Sequence, residues 1–160
     1  MVQTDTTSLT SLLKLERIRV GLAGGEKGEI IASIVALLEG TAGVDDLSRV
    51  LDDVERREAL MSTGVGKGLA LPHARSTGVS TTVAAFAVTA GPVEYGAFDD
   101  LPVRLVMLLV GPEAERGAHV RLLSRVSRMM SDDAFRESLL AAPDAAAVLD
   151  AFARAEAQLT

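Results

Sequence analysis

The chain has 160 residues, 48% of them apolar but only 3% aromatic, with no cysteine and a formal net charge of −6. The missing cysteines exclude disulfides, thiol catalysis and cysteine-type zinc sites. The acidic balance argues against nucleic acid as a partner, because neutralising phosphates needs a basic surface. It is compatible with docking onto a basic protein surface.

A chain of this length suits one domain whose core is built from Leu, Val, Ala and Ile. The N-terminus shows no basic-then-apolar leader, and no apolar run approaches membrane-spanning length. The expectation is a cytoplasmic protein with no direct membrane insertion. Residues 1–10 are polar and rich in Thr and Ser, so they read as a flexible N-terminal segment before a domain over residues 11–160. Arg17 to Leu22 can form a first strand, broken by Ala23-Gly24-Gly25. Gly28 to Leu38 reads as a helix, because Ile30, Ile31, Ile34, Val35, Leu37 and Leu38 recur at helical spacing. A second helix spans about Asp45 to Leu60, with an apolar stripe of Leu47, Val50, Leu51 and Val54. Arg57 continues that stripe while Arg56 points towards solvent. Two readings of Arg57 stand: a stem laid along the core rim, its charge snorkelling or paired, or a guanidinium that forks onto a phosphate.

The stretch Ser62-Thr63-Gly64-Val65-Gly66-Lys67-Gly68 carries three alternating glycines and predicts a tight, shaped loop. It lacks the Walker A spacing, and it does not run from a strand into a helix as a dinucleotide loop must. Leu69 to Leu71 is a short extended piece, and Pro72, which cannot donate to a ladder, predicts the end of that strand. His73 then sits on a rigid mount. It is either a surface histidine beside a glycine turn or a ring held to present one nitrogen to a partner.

Ser76 to Thr81 reads as a polar loop and Thr82 to Val88 as a central strand. Gly91-Pro92 predicts a turn before a short edge strand at Val93 to Tyr95. Val103 to Val110 is nearly all aliphatic and reads as a strand buried on both sides. Gly117 to Met130 predicts a helix with His119, Leu122, Leu123, Val126 and Met130 on one side and Arg121, Arg125 and Arg128 on the other. His119 falls in its first turn, either as a satisfied semi-buried side chain or as a second imidazole facing a site. A helix over Asp132 to Ala141 follows. Pro143 suits the first turn of a last helix reaching about Glu156. The whole pattern is α/β: one domain with a small mixed β-sheet and helices packed on both faces.

These residues carry a family resemblance. Arg57-Glu58, Ser62-Thr63-Gly64-Val65-Gly66, Gly68-Leu69-Ala70-Leu71-Pro72-His73, Phe98-Asp99 with Pro102-Val103, and His119 with Leu122-Leu123 resemble the enzyme IIA component of the bacterial phosphoenolpyruvate-dependent sugar phosphotransferase system. The class is the fructose–mannitol type (type 2), which includes the nitrogen-type regulatory paralogue. The likeness covers roughly residues 10–155. It departs at Lys67, at Ala74 where glycine is usual, and over Arg19 to Gly25.

The resemblance implies that His73 takes a phosphoryl group, that His119 steadies its oxygens and that Arg57 supplies charge. Ser62, Thr63 and Gly64 are candidates for the same phosphate pocket. The implied partners are the histidine-containing phosphocarrier protein as donor and an enzyme IIB domain as acceptor in sugar uptake. In the regulatory alternative, a target protein is bound according to the state of His73. No cofactor and no Mg²⁺ are implied, because the donor is a phosphoprotein. A metal site on the two histidines is a weak competing reading, given the scattered carboxylates.

Overall fold

The computed structural model describes residues 8–159. In chain order these form α1 (Leu9–Leu12), β1 (Ile18–Leu22), α2 (Lys27–Ala36), α3 (Leu47–Leu60), β2 (Gly64–Gly66), β3 (Leu69–Ala70) and β4 (His73–Arg75). Then follow β5 (Val83–Val93), β6 (Val103–Gly111), α4 (Arg116–Met130), α5 (Asp133–Ala141) and α6 (Ala145–Ala157). The strands make one mixed sheet in the order β1-β5-β6-β3-β2, with β4 also paired to β6. β1 lies parallel to β5, β5 antiparallel to β6, and β3 and β4 both run parallel to β6.

The aliphatic β6 sits at the centre because both of its faces must leave water. Val106, Leu108 and Val110 join one core cluster with α2 and α3. Leu105, Met107 and Leu109 join the other, with residues of α1, α4, α5 and α6. Helices therefore cover both faces, as the sequence predicts.

Four local expectations are corrected. Gly91-Pro92 does not end its strand. β5 continues to Val93, with the register shifting between Val88 and Val93, and the Arg104 guanidinium donates to Thr89 O at 3.0 Å in that irregular stretch. The bulge absorbs the proline without parting the strands.

Pro72 likewise interrupts a strand without stopping it. Leu69 lies opposite Leu105 and His73 opposite Leu109, so the register is the same on both sides of the proline. Pro72 O still accepts from Leu109 N at 3.2 Å, and only the rung needing its missing N–H is lost.

Pro143 precedes the last helix instead of opening it. Asp144 is the cap, its side chain accepting from Ala147 N at 2.9 Å.

Of the expected flexible segment, residues 1–7 lie outside the described residues, and Ser8 to Thr10 are anchored. The Glu156 carboxylate accepts from Ser8 Oγ (2.6 Å), Leu9 N (2.7 Å) and Thr10 N (2.9 Å), and Leu9 is fully buried.

Candidate active site

Three of the candidate residues, His73, His119 and Arg57, meet where β4, α3 and the start of α4 converge. Side chains alternate along a strand, so His73 shares its parity with Leu69 and Leu71, whose side chains join the α4 cluster. His119 occupies the first turn of α4, on the buried stripe with Leu122 and Val126. The two imidazole centroids are 5.8 Å apart, with the rings tilted at 45°. Asp46 caps α3 by accepting from Arg49 N at 3.1 Å, and that helix carries Arg57 to the same place. His73, His119 and Arg57 line one cleft of about 450 Å³. Three residues from three distant parts of the sequence are thus brought together.

The His73 ring is oriented by its own backbone. Nδ1 lies 2.7 Å from Leu71 O. A carbonyl can only accept, so Nδ1 carries the proton and Nε2 keeps its lone pair. Burial lowers the His73 pKa; the Leu71 carbonyl opposes this, the Arg57 charge lowers it further, and Glu58 pulls the other way. The net shift is downward, so the ring is neutral at pH 7 and nucleophilic at Nε2.

His119 is only 5% exposed, and neither of its nitrogens has a hydrogen-bond partner among the described residues. Burial, with His73 and the Arg75 charge beside it, pushes its pKa down to about 4. A buried polar ring without a partner is costly, and such a group in a cleft is a common mark of a binding site.

Arg57 donates from Nη1 to Met61 O at 3.0 Å, which seals the C-terminal end of α3 and steadies the guanidinium at the cleft edge. Arg49, Arg56, Arg75 and Arg116 line the cleft as well, against Asp53 and Glu113. A chain of net charge −6 therefore presents a basic pocket.

Ser62, Thr63 and Gly64 do not line this cleft. Ser62 Oγ accepts from Gly64 N at 3.1 Å, which closes the turn. Thr63 is buried and its hydroxyl donates to Glu58 Oε1 at 2.5 Å. At Gly64 an added Cβ would stand 2.8 Å from Ala97 Cα, so the glycine is required by packing. Lys67, with φ of 58°, donates its N–H to the Asp99 carboxylate at 2.8 Å. It lies beside Val65 and Ser131, away from the histidines.

Sequence reasoning gave no role to Glu58, Lys27, Tyr95 or Arg75. Glu58 had a signal: it lies four residues after Val54 and eight after Val50, so it falls on the buried face of α3. Arg75 had one too, two residues after His73 on the same strand. Lys27 and Tyr95 had none, because they reach Glu58 only through the fold. Among the described residues, no three His, Cys, Asp or Glu side chains are grouped so as to hold a metal ion. No helix there is long and apolar enough to cross a membrane.

Known proteins share this architecture. The family profile "Phosphoenolpyruvate-dependent sugar phosphotransferase system, EIIA 2" matches residues 11–155. The chain is 33% identical over 149 residues to the PTS system fructose-specific EIIA component of Haloferax volcanii, covering 93% of this chain and 97% of that protein. It is 32% identical over 140 residues to a nitrogen regulatory protein of Pseudomonas aeruginosa, covering 88% and 91% respectively. The crystal structure of nitrogen regulatory protein IIA-Ntr from Neisseria meningitidis superposes with a TM-score of 0.84 at 33% identity, over 90% of this chain and 98% of that one. With its fold, its His73–His119 cleft and a profile match across nearly its whole length, the chain belongs to the type-2 EIIA family of phosphotransferase-system components, whose members are phosphoryl-transfer proteins.

Proposed function

We propose that His73 accepts a phosphoryl group on Nε2 from the phosphohistidine of the histidine-containing phosphocarrier protein. It then passes the group to an enzyme IIB domain during sugar uptake of the fructose–mannitol class. One observation carries the reading: Nδ1 is held by Leu71 O at 2.7 Å, inside a cleft shared with His119 and Arg57.

The step balances without a base. The Nε2 lone pair attacks phosphorus as the donor's P–N bond breaks, and the donor ring, carrying its own N–H, leaves as neutral imidazole. The His73 ring becomes cationic as it gains the group, which strengthens the Nδ1–H bond to the Leu71 carbonyl. A pKa of about 4 leaves His119 neutral at pH 7, so it meets a phosphoryl oxygen with its single N–H. Arg57 contributes full positive charge to the same oxygens.

A second reading is favoured by the likeness to the two nitrogen regulatory proteins. In it the same phosphorylation at His73 governs contact with a target protein instead of onward transfer.

Intact mass after incubation with phosphoenolpyruvate, enzyme I and the phosphocarrier protein tests the shared step, with His73→Ala beside the wild type. An acid-labile phosphoryl adduct on the wild type alone is expected. No adduct with a cognate donor overturns the proposal. Adding a cognate IIB domain to the phosphorylated protein separates the two readings: loss of the adduct to IIB supports transport, and retention supports regulation.

A further inference from the structure

Glu58 is a carboxylate on the buried face of α3, only 7% exposed, and it does not line the cleft. Four groups converge on it. Lys27 Nζ pairs with Oε2 at 2.7 Å, Thr63 N donates to Oε2 at 2.8 Å, Thr63 Oγ1 donates to Oε1 at 2.5 Å, and Tyr95 OH donates to Oε1 at 3.2 Å. The Thr63 hydroxyl and Tyr95 OH are also 3.0 Å apart. Thr63 is therefore fixed at both its backbone nitrogen and its side chain.

From Thr63 the restraint continues towards the histidine. Thr63 O accepts from Leu71 N at 2.9 Å, and Leu71 O accepts from His73 Nδ1 at 2.7 Å. Pro72 lies between those two residues and stiffens the link. The carboxylate thus reaches the ring through three hydrogen bonds: Thr63 N to Glu58, Leu71 N to Thr63 O, and His73 Nδ1 to Leu71 O.

We propose that Glu58 is a positioning residue for His73, holding Thr63, and through Thr63 and Leu71 the orientation and tautomer of the imidazole. The kinetic consequence rests on the phosphoryl-carrier reading above; the effect on the ring does not. A ring held by Leu71 O keeps Nε2 unprotonated and aimed at an incoming phosphorus. A Leu71 carbonyl free to move lets the proton exchange between the two nitrogens, and the fraction of competent enzyme falls. Because the Glu58 bonds persist without substrate, the cost is felt in kcat and not in KM for the donor.

Nitrogen-15 NMR of the full chain reads the His73 tautomer directly, in wild type, Glu58→Gln, Glu58→Ala and Thr63→Val. The expected wild-type signal is the form protonated at Nδ1. Glu58→Ala should move population to the other tautomer and lower kcat roughly tenfold, with KM for the phosphocarrier unchanged. Glu58→Gln keeps an oxygen acceptor for Thr63 N–H and should recover part of both effects. If Glu58→Ala does not fold, Thr63→Val decides, since it removes one hydroxyl at nearly constant volume, and a partial shift of the same sign is expected. Wild-type tautomer populations in the folded variants overturn the proposal, as does a fall in kcat with unchanged nitrogen shifts. A wild-type chain that takes no phosphoryl group would refute the carrier function, while the NMR comparison, which needs no donor, would still decide the role of Glu58.

Discussion

At the residue scale, the cleft combines a fixed ring with an unsatisfied one. His73 is settled by Leu71 O, while His119 is buried with both nitrogens unpartnered among the described residues. Such an arrangement costs stability in the resting protein, and on the proposed function phosphoryl oxygens would repair it. His119→Leu should therefore stabilise the fold by about 1–2 kcal/mol while slowing phosphoryl transfer roughly a hundredfold. The pH dependence has a definite sign. The folded His119 titrates at about 4, below the ordinary value near 6.5 that it has unfolded. Between those values the unfolded chain binds more protons, so His119 adds no pH-dependent penalty above about 6.5 and destabilises the fold increasingly as pH falls towards 4. Urea denaturation should show a loss of roughly 2 kcal/mol from this residue between pH 7 and pH 5, and that component should be absent in His119→Leu. Glu58 acts in the same direction in acid. Burial raises its pKa, but the Lys27 and Thr63 donors outweigh burial and hold it below the usual carboxylate range. Its stabilisation is lost as pH falls through that lowered value. An equal pH dependence in wild type and His119→Leu would remove His119 from the account.

At the element scale, β6 ends against the first turn of α4. A Cβ built at Gly111 would stand 3.2 Å from His119 Nδ1 and 3.3 Å from Thr82 Oγ1. Gly111→Ala should therefore displace the His119 ring by a few tenths of an ångström. The expected outcome is a transfer rate lowered roughly tenfold with melting temperature nearly unchanged. A wild-type rate would mean that the ring adjusts freely. Local sequence rules worked where burial decides the pattern, as along the aliphatic run of β6 and the stripe of α4. They failed where a local breaker was overruled by neighbours. Gly91-Pro92 is carried within β5, and Pro72 costs a single rung because β6 holds the register on both sides of it. The Glu58 network was out of reach for another reason. Tyr95 lies 37 residues from Glu58, and no spacing rule connects them.

At the scale of the whole molecule, composition and local charge point in opposite directions. The chain is acidic overall, yet Arg49, Arg56, Arg57, Arg75 and Arg116 come together at the cleft from α3, β4 and α4. Net charge averages over the surface and cannot report such a gathering, which only the fold assembles. The motif around Pro72-His73 and helical phase singled out His73, His119 and Arg57, and the fold brings the three to one cleft; their part in phosphoryl transfer belongs to the proposal. Ser62, Thr63 and Gly64 were not legible as to role. Their residue types suit a phosphate loop, but tertiary contacts commit them to the turn, to Glu58 and to Ala97. The central claim is that this fold presents Nε2 of His73 as the nucleophile. The most direct test is phosphorus-31 and nitrogen-15 NMR on the protein after phosphorylation by its cognate phosphocarrier. The account predicts one phosphohistidine, with phosphorus on Nε2 of His73 and a proton retained on Nδ1. Phosphorus on Nδ1, or on any other residue, would contradict it.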